Sequence, residues 1–312
     1  MSQRLELLQK QMPSFQYTVD GGILTKEERQ FYEENGFLVV RQMFSPEEIK
    51  EWTQRFKDYA DGQLERKYGM QVVRDISLVK RGGGKQWGEE AITKIQDWQE
   101  DEILFKFCQN QKVIQYLKSL CGPDIKSVHT MFINKPPNMG KTSRHPIHQD
   151  QVYFPFGPAD RIAAGWAALE DANRENGCLV VYPGTHKVGP VEHCYPDWKE
   201  GVNKAYWGVK DMPPESAPKI HLEMKAGDIV FFHPYLFHGS GENRSSSFRK
   251  SICCHFASAN CQYHDIKGTF HENLANDILA YASKKFGHAV NYLDIWRFKC
   301  RLVQGKPDPL GL

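Results

Sequence analysis

From about Ile125 onward the apolar residues of this chain stop recurring every three or four positions and gather into short strand-like runs. These are Val128 to Asn134, Ile162 to Leu169, Cys178 to Tyr182, Ile220 to Met224, Ile229 to His233 and Lys250 to Ser258. Turn signals punctuate them: Asn176-Gly177, Pro183-Gly184 and Gly227-Asp228. Many short strands separated by turns predict a sandwich or jelly roll, because each strand buries a face only by packing on another sheet.

Ahead of this region the period is helical. Thr25 and Glu28 form a capping box that opens a helix from Lys26, and Asn35-Gly36 stops it. Ser45-Pro46-Glu47-Glu48 starts a second helix, whose Ile49, Trp52, Phe56 and Tyr59 make one apolar stripe. Glu102 to Leu120 reads as a third, ended by Gly122-Pro123. The chain returns to helix at His271 and runs to Gly287, and Trp296 to Val303 reads as a closing strand. The expectation is a mainly β fold with a double-stranded β-helix core and α-helices at both ends. One domain spans 1–312: a helical part at about 25–122, a β-roll at about 125–260, and a helix and strand at about 270–303.

Composition limits the function classes. With 40 basic against 38 acidic residues, the net charge of +2 gives no field that would imply nucleic-acid binding. No run of apolar residues is long enough for a membrane span, and the first residues lack the apolar core of a secretory signal. The eight cysteines contain no CxxC pair and read as free thiols. Adjacent Cys253 and Cys254, on a strand, should point to opposite faces.

His148-Gln149-Asp150 is an HxD motif, which on its own arises about once by chance in a chain of this composition. Its weight comes from what accompanies it. On a strand or its edge, spacing two puts His148 and Asp150 on one face. His238 follows the Ile229–Phe232 run, where a β-roll would supply a third ligand. Two neutral imidazoles and a carboxylate on one face leave coordination positions open, as in the facial triad of non-haem Fe(II) oxygenases. Arg249, eleven residues after His238, supplies a planar, permanently charged partner for a carboxylate, and Ser240 adds a hydroxyl. That pair suits 2-oxoglutarate, whose keto acid end chelates the metal, whose far carboxylate meets the arginine, and which leaves a position open for O₂. Singly, each residue has an ordinary structural explanation: a turn cap, a core histidine, a surface ion pair. A zinc hydrolase shares the His₂-carboxylate set but has no need of the anion clamp.

At these residues the chain resembles the phytanoyl-CoA dioxygenase family. The resemblance rests on FYEENGFLV (31–39), ITKIQDWQE (92–100), HTMFINKPP (129–137) and TSRHPIHQD (142–150), and continues through NGCLVVYPGTHK (176–187), FFHPYLFHGSG (231–241) and FRKSICCHFASA (248–259). It implies that His148, Asp150 and His238 ligate Fe(II), and that Lys94, Met131, Trp166, Ser240 and Arg249 contact 2-oxoglutarate. Trp166 and Met131 would otherwise read as core, and Lys94 as a surface lysine. The implied chemistry couples decarboxylation of 2-oxoglutarate to 2-hydroxylation of a 3-methyl-branched acyl-CoA in fatty-acid α-oxidation. Succinate and CO₂ are released, O₂ is consumed, and ascorbate serves as a supporting reductant. Asp150 agrees, since related halogenases carry a small residue there.

Arg4-Leu5, five residues, then Gln11-Met12 is similar to an N-terminal peroxisomal signal read by an import receptor, with Met12 where the pattern has Leu or Ala. Without it the chain would be cytoplasmic. The C-terminal Leu310-Gly311-Leu312 is not of the SKL type. Two other functions stay open at this point: the same iron chemistry on a small polar substrate, or a jelly-roll binding module without turnover. Lys80, Arg81, Lys85, Lys141 and Arg144 are basic residues suited either to an anionic head group or to a solvated face, and Gly82-Gly83-Gly84 reads as a loop.

Overall fold

A computed structural model describes residues 15–75, 87–137, 140–199 and 206–307. The Arg4–Met12 signal, Lys80, Arg81, the Gly82–Gly84 loop, Lys85 and the last three residues lie outside the described residues.

The first helix, Lys26–Asn35, starts where the capping box predicts: the Glu28 N–H donates to Thr25 Oγ1 and the Thr25 N–H to the Glu28 carboxylate. Gly36 ends it in the left-handed conformation at φ 81°, which costs glycine no strain. Strand β1 (Phe37–Val40) follows at once. The second helix, Pro46–Ala60, is closed by the Ser45/Glu48 box and buries Trp52, Phe56 and Tyr59. Next come β2 (Gln71–Arg74) and β3 (Ile92–Gln96).

The expected helix from Glu102 to Leu120 is divided. Lys106–Gln109 and Gln111–Cys121 are separate helices, because Asn110 takes an extended conformation and its side chain accepts from the N–H groups of Lys112 and Val113. Then come β4 (Ile125–Lys135), β5 (His145–His148), β6 (Phe156–Gly157), β7 (Ile162–Ala168) and β8 (Leu179–Val181). They are followed by β9 (His193–Cys194), β10 (Gly208–Val209), β11 (Ile220–Leu222), β12 (Ile229–Phe232) and β13 (His238–Ser240). The last strands are β14 (Arg249–Ser258), β15 (Gln262–Tyr263) and β16 (Arg301–Gln304).

The helical reading of the first third misses β1, β2 and β3, which are too short to set a period and are strands only because the large sheet pairs them. The closing strand is also shorter than expected. Residues Tyr292–Lys299 form a helix capped by the Asn291 side chain, and only Arg301–Gln304 is extended.

Two antiparallel sheets face each other. The large one runs β1-β12-β7-β14-β4-β3-β2, with β16 paired to the first residues of β4 beyond β3, and the small one runs β11-β8-β13-β5. Strand alternation then sorts the core. On β7, β12 and β14 the residues Ala163, Ala167, Ile229, Phe231, Ile252, Cys254 and Phe256 pack outward under the N-terminal helices. Their neighbours Ala164, Trp166, Val230, Phe232 and Cys253 point inward toward Leu179 and Val181 of the small sheet. Cys253 and Cys254 fall on opposite faces, as expected. No helix among the described residues is long and apolar enough to cross a membrane.

Phe132 of β4 faces outward and stacks on Phe56 of the second helix, with centroids 4.3 Å apart and planes 8° apart. Truncating a fully buried ring at that seam removes apolar burial and leaves a cavity, at a cost of about 3–5 kcal/mol. Phe132→Ala should lower the urea midpoint accordingly while leaving the opposite, inward face intact. A loss below about 1 kcal/mol would show that the helical layer does not depend on this seam.

Candidate active site

The antiparallel register of β13 with β5 sets His238 directly opposite His148. Their ring centroids lie 4.3 Å apart. Each ring is oriented in the same way: His148 Nδ1 lies 2.9 Å from Pro146 O and His238 Nδ1 lies 2.9 Å from Leu236 O. A carbonyl can only accept, so both Nδ1 atoms carry the proton and both Nε2 atoms present a bare lone pair.

Asp150 does not reach them by strand alternation. Strand β5 ends at His148, and Asp150 opens a 3₁₀ turn, Asp150–Tyr153, that swings its carboxylate back. Asp150 Oδ1 lies 3.2 Å from His148 Nε2 and 3.5 Å from His238 Nε2. Nor does His238 lie at the end of the β12 run. The chain leaves the large sheet at Phe232, and His238 begins β13 in the small one. Gln149 ties down the surrounding loops, donating to Gly189 O and Tyr235 O and accepting from the Val191 N–H.

Three buried groups thus aim lone pairs at one point, with ligand atoms all within 4.8 Å of one another. Burial pushes His238 down to about 4, which keeps it neutral. Burial alone would raise the Asp150 carboxyl, but its neighbours, led by His255 at 2.8 Å from Oδ2, hold it well below the usual carboxylate range. A carboxylate and two bare imidazole nitrogens repel unless a cation sits among them, so the donor set fits a divalent metal.

The same cavity, about 960 Å³ including its mouth, is lined by Lys94, Met131, Trp166, His148, Asp150, His238, Ser240 and Arg249. All eight residues singled out from the sequence therefore meet in one place. Arg249 is the first residue of β14 and is 2% exposed. One guanidinium nitrogen donates to Ser251 Oγ at 2.9 Å, while Nε has no hydrogen-bond partner among the described residues. Its carbon lies 5.4 Å from the Trp166 ring, whose strand position pairs with Cys253, so the side chain leans along β14 toward the histidines. Burial pushes Arg249 down to about 10. Lys94 Nζ stands 5.0 Å over the Tyr206 ring. Met131 is half-buried against the inner core.

The sequence reading missed His255, Lys135 and Tyr206, which share the cavity. His255 Nε2 lies 2.8 Å from Asp150 Oδ2, the oxygen turned away from the two histidines. Alternation along β14 was the available signal, since 249, 251, 253 and 255 share a face. Lys135 is visible only once β4 is paired with β14.

The fold and this constellation define a class: a double-stranded β-helix with a two-histidine, one-carboxylate centre. Similar folds occur in EctD from S. alaskensis in its apoform (TM-score 0.60, 15% identity, 79% of this chain and 81% of that chain). They occur also in the epimerase SnoN in complex with Fe3+, alpha ketoglutarate and nogalamycin RO (TM-score 0.57, 20% identity, 79% and 88%). The family model for phytanoyl-CoA dioxygenase (PhyH) matches residues 32–251. Curated relatives include the peroxisomal phytanoyl-CoA dioxygenases of Homo sapiens, 48% identical over 295 residues (94% of this chain, 86% of that protein), and of Rattus norvegicus, 47% over 296 residues with the same coverage. The probable phytanoyl-CoA dioxygenase of Caenorhabditis elegans is 46% identical over 307 residues, covering 94% of this chain and 97% of that protein. The chain belongs to the phytanoyl-CoA dioxygenase family, and it is an enzyme of that dioxygenase type.

Gly239 makes the histidine pairing testable. A Cβ there would lie 2.8 Å from His145 O and 2.9 Å from Pro146 O, so β13 would have to move off β5. Gly239→Ala should weaken divalent-metal affinity by on the order of 10–100-fold, as loss of supporting geometry does, measured by calorimetric titration. Unchanged affinity would mean that the register does not set the donor geometry.

Proposed function

We propose that the chain is an Fe(II)- and 2-oxoglutarate-dependent hydroxylase acting at C2 of phytanoyl-CoA or a similar 3-methyl-branched acyl-CoA. The observation that carries it is a metal-competent triad and an under-bonded buried arginine in one cavity. His148, Asp150 and His238 hold the iron, with His255 restraining the outer oxygen of Asp150. Arg249 and Ser240 take the far carboxylate of 2-oxoglutarate. Trp166 and Met131 form apolar walls that exclude water, and Lys94 contributes charge at the same pocket. When bound, iron and 2-oxoglutarate would activate O₂: decarboxylation of 2-oxoglutarate to succinate and CO₂ gives O₂ two of its four electrons, the substrate C–H bond gives the other two, and one oxygen atom ends in succinate and the other in the new hydroxyl.

Support for an acyl-CoA comes from the names of the relatives and from the mouth of the cavity. Arg74 and Arg144 line it, and Arg144 stands 4.0 Å over the Trp198 ring. Cationic groups beside aromatic faces suit a phosphorylated, adenine-bearing head group. The small-polar-substrate reading has no comparable observation in its favour. We read residues 1–312 as a single dioxygenase domain, since strands from residues 37–304 share one sheet. The peroxisome is the proposed compartment, following the names of the human and rat relatives, with import through a receptor that reads the N-terminal segment.

Anaerobic protein with Fe(II) and 2-oxoglutarate should show a weak visible absorption band; no band at saturating metal would remove the iron reading. Succinate release should be stimulated by phytanoyl-CoA and not by free phytanic acid. If no acyl-CoA in a chain-length panel stimulates it, the substrate assignment fails while the reaction class stands or falls on the band.

Arg249→Lys replaces two parallel donors by a point charge. It should raise the 2-oxoglutarate KM by about tenfold or more and leave the iron requirement nearly unchanged. Equal effects on both would contradict the clamp.

A further inference from the structure

Resting on the reading of the cavity as a 2-oxoglutarate site, we propose that Lys135 is a positioning residue for the far carboxylate of the co-substrate. It holds Ser240 with the hydroxyl proton free for the cavity, and it adds a second positive charge beside Arg249.

Lys135 is the last residue of β4, and its Cα is paired with that of Arg249 at the start of β14. Both side chains are buried, at 4% and 2% exposure. Like charges opposite one another on paired strands repel, and burial makes the repulsion costlier. The surroundings do not offset it. Glu170 is a carboxylate that acts on Arg249, but its oxygens are held by Lys250, one at 3.0 Å from Lys250 Nζ and the other at 3.0 Å from the Lys250 N–H. Among the described residues neither Lys135 nor Arg249 forms a salt bridge. Burial, and after it the Arg249 charge, holds the Lys135 ammonium well below the usual lysine range. The pair is complementary to an anion entering the cavity.

The hydrogen bonds of Lys135 point the same way. Its Nζ donates to Ser240 Oγ at 2.8 Å and also to Gly241 O. Beside a bound carboxylate Lys135 is an ammonium with donors only, so Ser240 Oγ accepts, and its own proton is left to donate elsewhere. No described residue takes that proton, and Ser240 lines the cavity. Lys135 therefore fixes a hydroxyl rotor that would otherwise be free, turning Ser240 from an ambivalent group into a donor. A carboxylate arriving there meets the Ser240 O–H and the Arg249 guanidinium, with the Lys135 charge immediately behind. The role is distinct from chelation at the metal, so it should separate from metal affinity.

The test uses the full chain with Mn(II) in place of iron, so that binding is read without turnover. Calorimetric titration of 2-oxoglutarate into Lys135→Met should show a loss of about tenfold or more against wild type, with Mn(II) affinity unchanged. In the iron enzyme the 2-oxoglutarate KM should rise without a matching fall in kcat. In a double-mutant cycle, Lys135→Met and Ser240→Ala together should cost clearly less than the sum of the two, because one acts through the other. Lys135→Gln, which keeps a donor without the charge, supplies a second reading. Its preference for 2-oxoglutarate over 2-oxopentanoate, which lacks the far carboxylate, should fall below that of wild type. Unchanged 2-oxoglutarate affinity in a folded variant, equal losses of Mn(II) and 2-oxoglutarate, or strict additivity with Ser240→Ala would each overturn the role. If wild type itself binds no 2-oxoglutarate, the cavity reading fails, and that result is distinguishable because it precedes any variant.

Discussion

The cavity depends on one pairing, that of β13 with β5, which brings His238 across from His148. Orientation is then a backbone property: in each case Nδ1 donates to the carbonyl two residues earlier in the chain, Pro146 O or Leu236 O. No distant side chain is needed to choose the tautomer. Gly239 lets the two strands approach, since its missing Cβ leaves room for the carbonyls of residues 145 and 146. Asp150 is delivered by a turn and is held from the large sheet by a hydrogen bond to His255 at 2.8 Å. That bond ties the two sheets together at the point where both meet the cavity.

The opposite charge logic governs Arg249. At the triad, lone pairs converge in an arrangement that suits a cation; around Arg249, donors and positive charge converge in one that suits an anion. Strand β14 joins the two, with His255 inward at one position and Arg249 inward six residues earlier on the same face. Each region is costly when considered alone, because buried charge without a partner is unfavourable. Together they are complementary to a molecule with a chelating group at one end and a carboxylate at the other. This is the physical reason for preferring 2-oxoglutarate chemistry over a zinc hydrolase, in which the arginine would have no counterpart.

Much of this was legible in the sequence, for reasons that can be named. The capping boxes at Thr25 and Ser45 are local, so they fix helix starts without tertiary help. The long runs that became β4, β7 and β14 carry their own period. Strands β1, β2 and β3 do not, being four or five residues each and stabilised only by register with the large sheet. Asn110 was hidden for a different reason: its side chain caps one helix in the middle of a continuous helical pattern. In the site, residues joined by a short spacing, His148 with Asp150 and His238 with Ser240, could be found by motif. Lys135 could not, because it is defined by what it faces on another strand, and His255 was signalled only by its alternation with Arg249 along β14. Lys94, Met131 and Trp166 were reached through family resemblance, and the structure brings them into the same cavity.

The parity of β4 and β14 explains why so many polar groups survive burial here. Inward positions 131, 133 and 135 on β4 and 249, 251, 253 and 255 on β14 lie over the cavity, while outward neighbours such as Phe132, Ile252, Cys254 and Phe256 fill the helical layer. A single-residue slip in either strand would exchange the two sets, driving Arg249 and His255 under the helices and Phe256 into the cavity. The outward apolar face therefore does more than stabilise. By fixing register it decides which polar groups meet, so that the reactive arrangement is specified by residues that never touch it.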